Sequence, residues 1–327
     1  MFVREKVIKA ILDSGENFMS GEQLSKKLGI SRTAVWKHIN ALREEGYNIE
    51  SVNKKGYRLA EKPDDILSSE NIAYNLPTEF IGKKVIHLDT VGSTNDYAKE
   101  IGNKVSGGTL IISEQQTKGK GRLGRVWKSK SGDGIWMSLI IKPKIEPYKA
   151  PFLTLVAGAS VVKALSNLDV EASIKWPNDI IVHNKKICGI LTELSAEMER
   201  VNYVVIGIGI NIKTIDFPDE IKEKATSLYK EGYKLSRVDI VRQFCREFEK
   251  LYKGYILDGN KQDTLELCRK YSAIIGKQVY VIKNNKRELV KCIDINENGN
   301  LIVKEKNGEI QEIMSGEVSI RGVKGYV

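Results

Sequence analysis

The sequence has 327 residues, of which 41% are hydrophobic and 29% are charged, and its formal net charge is +10. These proportions exclude a disordered chain and indicate a folded protein with roughly two or three domains. The positive charge favours a polyanionic partner such as nucleic acid or nucleotide phosphates, and a mildly basic protein without such a partner is the alternative.

Four cysteines and three histidines are scattered singly along the chain, so neither a disulfide framework nor a metal-binding motif is predicted. No apolar run approaches the roughly 18 residues of a membrane span. The first stretch, "MFVREKVIKAILDSGE", has acidic residues within its apolar pattern, unlike a signal or transit peptide. We therefore expect a protein of the reducing cytoplasm that does not associate with a membrane.

Residues 1–62 are predicted to form a winged helix-turn-helix domain, and apolar residues at helical spacing indicate its first helix. In "SGEQLSKKLG", Ser20 and Gln23 have the spacing of a capping box, and Gly29 suits the end of a second helix. Ser31 is the predicted N-cap of a third helix. Two short helices joined by a turn that contains Gly are typical of helix-turn-helix motifs.

The stretch "YNIESVNKKGYRLA" alternates in polarity on either side of residues 53–56 and predicts a β-hairpin with a basic tip, which would be the wing. The third helix would then be the recognition helix, placed in the major groove of DNA. A plain three-helix interaction module with a solvated, charged surface is the alternative. The predicted DNA contacts are Ser20, Ser31, Arg32, Thr33, Trp36, Lys37, Lys54 and Lys55.

A polar stretch that begins at Pro63 predicts a linker, and residues 63–271 mix strands and helices without regular βαβ alternation. This order indicates an α+β fold with a mixed or largely antiparallel sheet. Residues 272–327 contain short strands separated by Asn and Gly turns, which predict a small SH3-like β-barrel. The predicted architecture is an N-terminal winged helix-turn-helix, a central mixed α/β domain and a C-terminal β domain.

The stretch "QQTKGKGRLGRVWKS" contains Gly119, Gly121 and Gly124 in a G-x-G-x-x-G pattern. A dinucleotide-binding turn would need a helix to begin there, but the following "VWKSKSGDGIW" has no apolar residues at helical spacing. Residues 117–130 contain six Lys or Arg and no acidic residue. We therefore predict a flexible cationic loop, and not a Rossmann turn.

Three further stretches contain residues suited to ligand binding. In "STND", Ser93 can cap a helix or bond a small polar ligand. In "KWPND", Lys175 lies within an apolar strand, where its charge needs an anionic partner unless the side chain reaches solvent from an edge strand. In "GIGINI", the alternating Gly207 and Gly209 indicate either close approach of a ligand or a bulge.

Taken in order between a winged helix and a small β domain, "STND", "QQTKGKGRLGRVW", "KWPND", "GIL" and "GIGIN" resemble the biotin–protein ligases, specifically the bifunctional type that is also the biotin operon repressor. The resemblance spans essentially the whole chain. It implies an ATP-dependent, AMP-forming ligase that makes biotinyl-5′-AMP from biotin and ATP with Mg²⁺, in the central, catalytic domain. Biotin would then pass to a lysine of the biotin carboxyl carrier protein of acetyl-CoA carboxylase or a similar carrier.

The same resemblance implies a DNA-binding repressor of biotin-synthesis genes. Biotinyl-5′-AMP would be its corepressor, and a homodimer that holds this adenylate would bind operator DNA through two winged helices.

The resemblance also assigns roles to single residues. Lys175 would bridge the biotin carboxylate and the α-phosphate, with Arg122 as the second catalytic residue and no metal ligands in the protein, since Mg²⁺ would arrive with ATP. The chain departs from the family at Lys120, where Arg is usual and could make a bidentate clamp. The implied biotin contacts are Ser93, Thr94, Asn95, Gln116, Lys120, Gly121, Arg122, Lys175, Gly207 and Gly209. The implied ATP and adenylate contacts are Lys120, Arg122, Trp127, Lys175 and Asn211.

Two other functions fit parts of this pattern. A non-enzymatic transcription regulator could sense a small anionic metabolite through a degenerate ligase domain, but the retained Lys175, Arg122 and glycine loop argue against degeneration. A lipoate–protein ligase shares the reaction type, and "GRLGRVW" favours biotin over lipoate. Asp179 is either a base for the acceptor lysine or a residue that orients Lys175 or caps a turn.

Overall fold

A computed structural model describes residues 3–44, 46–60, 65–283, 286–315, 319–323 and 325–327 of the chain. The chain divides into two units, one of Met1–Leu76 with Ser236–Val238 and the other of Pro77–Leu235 with Asp239–Val327. The predicted domain boundary after residue 62 and the start of the predicted linker at Pro63 lie outside the described residues.

The first unit contains three helices, a hairpin and a short fourth helix around one apolar core. The capping box is formed: the backbone N–H of Gln23 donates to Ser20 Oγ, and the Gln23 side chain accepts from the Ser20 backbone. Gly29 ends this helix in the left-handed conformation. The prediction of a helix-turn-helix is confirmed. The elements are α1 (Val3–Asp13), α2 (Gly21–Leu28), α3 (Arg32–Glu44), β1 (Ile49–Val52), β2 (Gly56–Leu59) and α4 (Ser69–Ala73).

The hairpin between β1 and β2 is held against the segment before α2. Met19 and Tyr57 exchange backbone hydrogen bonds of 2.8 and 2.9 Å. Gly56 has φ +111°, and a Cβ there would lie 2.3 Å from the Met19 carbonyl oxygen, so only glycine fits. The hydrophobic core below includes Ile11, Val35 and Ile39.

The second unit is built on a seven-stranded sheet in the order β3-β4-β5-β9-β8-β7-β6, in which β3 and β4 are parallel and all other neighbours are antiparallel. This confirms the α+β class and the largely antiparallel sheet. The helix Gln262–Lys270 was not predicted. The elements are β3 (Val85–Val91), α5 (Thr94–Ile101), β4 (Thr109–Gln116), β5 (Gly134–Ile141), α6 (Phe152–Ser166), β6 (Ser173–Lys175), β7 (Asp179–Val182), β8 (Lys185–Glu197), β9 (Arg200–Asn211), α7 (Arg237–Leu257) and α8 (Gln262–Lys270).

One helical stretch among the described residues, Pro147–Ser166, is long and apolar enough to cross a membrane by length and composition. Lys149 and Lys163 interrupt the apolar run, so this stretch was not predicted from the sequence. Its most apolar window is 72% buried inside the protein, as in the core helix of a soluble protein, so the stretch is weak evidence for a membrane span.

The last strands of the second unit form a separate five-stranded antiparallel sheet in the order β13-β12-β11-β10-β14. The predicted all-β character of this region is confirmed, and the SH3-like closure of the sheet stays a prediction. The strands are β10 (Gln278–Lys283), β11 (Lys286–Ile295), β12 (Leu301–Lys304), β13 (Ile310–Ile313) and β14 (Ser319–Gly322).

Candidate active site and DNA-binding surface

A cavity of about 400 Å³ lies in the second unit, within the range of small-molecule sites. The structure brings together every residue that the sequence analysis assigned to biotin or nucleotide binding. The lining includes Ser93, Thr94, Asn95, Gln116, Lys120, Gly121, Arg122, Trp127, Lys175, Gly207, Gly209 and Asn211.

Neutral hydrogen-bonding groups gather where α5 begins. Gln116 Oε1 accepts from the Thr94 backbone N–H at 2.8 Å, and Ser138 Oγ lies 2.7 Å from Thr94 Oγ1 and 2.6 Å from Asn95 Oδ1. Ser93 Oγ caps the helix by accepting from the Asp96 N–H. The chain therefore fixes amide and hydroxyl groups of both polarities in one corner of the cavity. Ser138 was missed, because its strand is otherwise apolar.

The two strand glycines make room for side chains of this site. A Cβ on Gly207 would lie 2.2 Å from Asn95 Oδ1, and a Cβ on Gly209 would lie 2.6 Å from Trp127 Nε1. The predicted close approach at these glycines is therefore made by Asn95 and Trp127 in this structure, and direct contact with a ligand stays a prediction.

The glycine loop folds back on itself between β4 and β5. The Gly121 N–H donates to the Arg125 carbonyl at 2.7 Å, and the Trp127 N–H donates to the Gly119 carbonyl at 2.9 Å. A single 3₁₀ turn at Arg122–Gly124 closes the bend, and no α-helix begins there. The exclusion of a Rossmann turn is confirmed.

Lys120 is at the cavity wall, but its ammonium pairs with a carboxylate of the chain itself. Nζ lies 2.7 Å from Asp96 Oδ2, and Lys99 lies 3.1 Å from the other oxygen of Asp96. Lys99 in turn pairs with Glu193 at 2.7 Å, and Glu193 accepts from Asn95 Nδ2 at 2.7 Å. A continuous polar chain thus connects the glycine loop to the corner where α5 begins.

Arg122 reaches from the loop into the cavity and is anchored at both ends of its fork. Its guanidinium donates to Asn178 Oδ1 at 2.8 Å and to the Ser315 carbonyl at 2.6 Å. Burial lowers the pKa of this guanidinium, and the charge of Asp179 opposes that effect.

Lys175 was expected in the middle of a strand; instead it is the last residue of β6, directly before the cis Trp176–Pro177 bond. β6 is an edge strand, yet Lys175 is only 3% exposed, so the solvent-reaching alternative is wrong. Its Nζ donates to the Tyr326 carbonyl at 2.6 Å. Burial lowers the pKa of Lys175 to about 7, against the opposing effect of Asp179.

A second lysine, Lys186, lies in the same cavity and was missed by the sequence analysis. Its Nζ is 2.5 Å from Asp179 Oδ1 and 5.2 Å from the centre of the Trp127 ring. Burial alone would raise the pKa of Asp179, but Lys186 and a hydrogen bond from the Tyr326 hydroxyl outweigh burial and lower it. The available signal was a lysine directly before the apolar stretch "ICGIL".

Asn211 ends β9 at the cavity, where its Nδ2 donates to the Thr226 carbonyl at 3.1 Å.

Within the described part of the chain, no three His, Cys, Asp or Glu side chains gather in a way that could hold a metal ion. The four cysteines are buried and free.

Of the eight predicted DNA-binding residues, seven are exposed and Ser20 is half-buried. Val35, Ile39 and Leu42 face the core, and Trp36, beside this apolar face of α3, is 55% exposed. Ser20 and Ser31 cap α2 and α3, so their hydroxyl oxygens already accept backbone N–H groups. The remaining predicted contacts, Arg32, Thr33 and Lys37 of α3 and Lys54 and Lys55 of the hairpin turn, are exposed.

Three family models match the chain: the Biotin/lipoate A/B protein ligase family over residues 88–211, an HTH domain over residues 3–58 and the Biotin protein ligase C terminal domain over residues 274–321. The Bifunctional ligase/repressor BirA of Bacillus subtilis (strain 168) is 42% identical over 97% of this chain and 98% of that protein. The Escherichia coli (strain K12) protein of the same name is 32% identical, over 96% of each chain.

Among solved structures, the Biotin protein ligase from Aquifex aeolicus in complex with biotin and ATP superposes with a TM-score of 0.64 and 31% identity. The superposition covers 73% of this chain and 99% of that chain. The neighbour therefore matches about three quarters of this chain.

Proposed function

Because this chain belongs to the family of bifunctional biotin–protein ligase/repressors, we propose that it joins biotin to ATP and transfers the biotin to a lysine of a biotin carboxyl carrier protein. The observation that carries the proposal is the arrangement of the cavity. Neutral donors and acceptors surround Ser138 of β5 and Gly207 of β9, whereas cations surround Asp179 of β7. Biotin has the same polarity, with a neutral ureido ring at one end and a carboxylate at the other.

The ureido ring needs both hydrogen-bond donors and acceptors. Thr94, Asn95 and Gln116 offer amide and hydroxyl groups that the surrounding bonds hold in place. Because leaving a buried polar group without a partner costs free energy, this corner favours a ligand head group with a ureido pattern over one without it.

In the first half-reaction, a biotin carboxylate oxygen attacks the α-phosphorus of MgATP, a phosphorus–oxygen bond forms and diphosphate leaves. Two anions must approach each other, so cations that are fixed in a partly dry cavity lower the barrier most. Lys186, Lys175 and Arg122 are the cations we assign to this role. Both lysines line the cavity. Lys175 must exchange the Tyr326 carbonyl for a substrate oxygen, whereas Lys186 is held at the cavity by its ion pair with Asp179.

The glycine loop would close over the adenylate. Its backbone N–H groups and cations can follow phosphate oxygens, and a closed loop would keep water from the mixed anhydride. Trp127, at the end of the loop, packs against Gly209 and would form one wall for the nucleotide, with Asn211 nearby. Mg²⁺ enters with ATP as part of the substrate.

In the second half-reaction, the neutral amine of the acceptor lysine attacks the acyl carbon, AMP leaves and the nitrogen loses a proton. The lowered pKa of Asp179 makes this carboxylate a poor base, and it is already paired with Lys186. We therefore assign Asp179 to orienting the lysines, in preference to the role of base.

The test of the ligase function is diphosphate release by the purified protein with ATP, Mg²⁺ and either biotin or lipoate, followed by label transfer to an apo carrier domain. Biotin-dependent release with transfer is expected. Release driven by lipoate alone would indicate a lipoate ligase, and no release with either acid would indicate a non-enzymatic regulator.

We also propose that the chain represses biotin-synthesis genes, with biotinyl-5′-AMP as corepressor and a homodimer on the operator, in the cytoplasm. The exposed cationic face of α3 supports the DNA contact. The proposed domains are 1–62 for DNA binding, 63–271 for catalysis and 272–327 as an SH3-like β domain. Deleting residues 1–62 should abolish an operator gel shift and spare ligation; an intact shift would contradict the assignment.

A further inference from the structure

Tyr326 is part of the cavity wall although it lies beyond the last strand of the five-stranded sheet. Residues 325–327 fold back along β14: the Gly322 N–H approaches the Tyr326 carbonyl at 3.4 Å, and a Cβ on Gly322 would lie 2.4 Å from the Val327 carbonyl carbon. This close packing places Tyr326, which is 9% exposed, beside β6 and β7.

Tyr326 contacts Lys175 in two ways. Its carbonyl accepts from Nζ at 2.6 Å, and its ring centre lies 3.4 Å from the same atom. Within the described residues, Lys175 forms no ion pair closer than 4 Å, so a carbonyl and an aromatic face supply the partners of this buried ammonium. Both are groups that stabilise a cation, and neither holds it as firmly as a carboxylate would.

The hydroxyl of Tyr326 makes a third contact, because it donates to Asp179 Oδ2. The other oxygen of Asp179 pairs with Lys186 at 2.5 Å. Burial raises the pKa of the Tyr326 hydroxyl, so it remains protonated and remains the donor. Each oxygen of Asp179 thus has its own partner, and the carboxylate cannot rotate without losing one of them.

We propose that Tyr326 is a positioning residue of the adenylation site: its hydroxyl fixes Asp179, and Asp179 in turn fixes the Lys186 ammonium where the substrate carboxylate and the α-phosphate meet. The inference rests on the proposed ligase function. The tyrosine acts through Asp179 and does not touch the reacting atoms. It therefore affects the rate of adenylate formation more than the binding of biotin, whose head-group site is made by other side chains.

Tyr326→Phe is the critical variant, because it removes only the hydroxyl and keeps the ring and carbonyl that contact Lys175. We expect kcat for biotin-dependent exchange of labelled diphosphate into ATP to fall about tenfold, the loss caused by roughly one hydrogen bond to a charged group. The KM for biotin should change less than about twofold, because other side chains bind the biotin head group. Tyr255→Phe is the matched control, since its hydroxyl donates to the Lys149 carbonyl outside the cavity.

The pH profile supplies a readout that a purely structural role would not change. Loss of the hydroxyl donor should raise the pKa of Asp179, so the acid limb of kcat should move to higher pH in Tyr326→Phe only. The titratable or charged groups that face Asp179 are Lys175 of β6, Lys186 and Cys188 of β8, Arg122 of the glycine loop and Tyr326 itself.

Wild-type kcat and an unmoved acid limb in Tyr326→Phe would overturn this inference and leave the ligase function standing. Absence of biotin-dependent exchange in the wild-type protein would contradict the proposed ligase function and, with it, the positioning role of Tyr326. The two failures are therefore distinguishable in one experiment.

Discussion

Trp127 lies so close to Gly209 that a Cβ on the glycine would come within 2.6 Å of the indole nitrogen. Trp127, at the end of the glycine loop, therefore packs against β9 at Gly209. This contact holds the end of the loop against the sheet. The same ring faces Gly189 of the neighbouring strand, where a Cβ would lie 2.9 Å from it.

Gly209→Ala should displace Trp127 and open the loop, because the indole cannot overlap the new methyl group. We expect biotin-dependent diphosphate exchange to fall at least tenfold, about the effect of a small misplacement in an active site. The free energy of unfolding should fall by about 1–3 kcal/mol from overpacking. Gly158→Ala is the control, because its Cβ would meet nothing closer than 3.8 Å. Equal activity of the two variants would show that the packing of Trp127 against Gly209 is not needed for the reaction.

Lys175→Ala and Lys186→Ala should each abolish measurable adenylate formation, since loss of one fixed charge at a transition state costs roughly 100-fold to 1,000-fold in rate. Biotin affinity, measured by calorimetry, should stay within a few-fold of wild type because the head-group site is intact. Lys185→Ala, on the same strand as Lys186 but outside the cavity, should be fully active. Near-normal turnover in either cavity variant would remove that lysine from the proposed mechanism.

The stability of the protein should depend on pH through Lys175. Burial lowers the pKa of its folded state to about 7 from 10.5, so the unfolded chain binds the additional proton between these values and this group favours folding more as pH rises. Lys175→Met removes the effect. The free energy of unfolding of the wild-type protein, relative to that of Lys175→Met, should therefore rise by about 2 kcal/mol between pH 7 and pH 9.

Denaturant unfolding at both pH values measures this difference. Lys104→Met, at an exposed position, is the control. It shows how much of the change in stability comes from removing any lysine and how much from removing a buried one. A stability difference between Lys175→Met and wild type that is the same at both pH values would show that the ammonium is not destabilised by its burial.

Ser138→Ala should weaken biotin binding, because the hydroxyl lies within 2.7 Å of both Thr94 Oγ1 and Asn95 Oδ1 and fixes the positions of these two side chains. Loss of about 1 kcal/mol, the usual value of such a bond, corresponds to roughly a fivefold higher dissociation constant by calorimetry. Ser160→Ala removes a buried hydroxyl that bonds within its own helix, and it should leave affinity unchanged. A similar loss in both variants would argue for a general packing effect.

Lys37→Ala should weaken binding to DNA that the protein selects from a random-sequence library. If Lys37 contacts a phosphate, the slope of log K against log salt should fall by about 1. Lys9→Ala, on the exposed face of α1, is the charge-matched control. Anisotropy titrations at several salt concentrations give both quantities, and parallel slopes for Lys37→Ala and wild type would exclude a phosphate contact at this residue.

Much of the local structure could be predicted from single stretches of sequence. The Ser20–Gln23 capping box, the Gly29 stop and the helix that begins after Ser93 all form as expected, because each depends on residues within one helical turn. The cationic loop without a helix was predicted for the same reason. The twelve cavity residues were assigned to one site only through the resemblance to a family. Local sequence patterns do not indicate that short motifs far apart in sequence lie together in the fold.

What only the tertiary structure decided are the partners of the charged groups. Lys175 and Tyr326 are 151 residues apart, and Asp179 and Tyr326 are 147 apart. Burial, which neither periodicity nor motif spacing reports, decides that Lys175 has a depressed pKa. The approach of the glycine loop to α5 decides that Lys120 pairs with Asp96. Apolar periodicity and capping residues within each stretch indicated the helices and strands in advance. The electrostatics of the site depend instead on which distant side chains share a buried region.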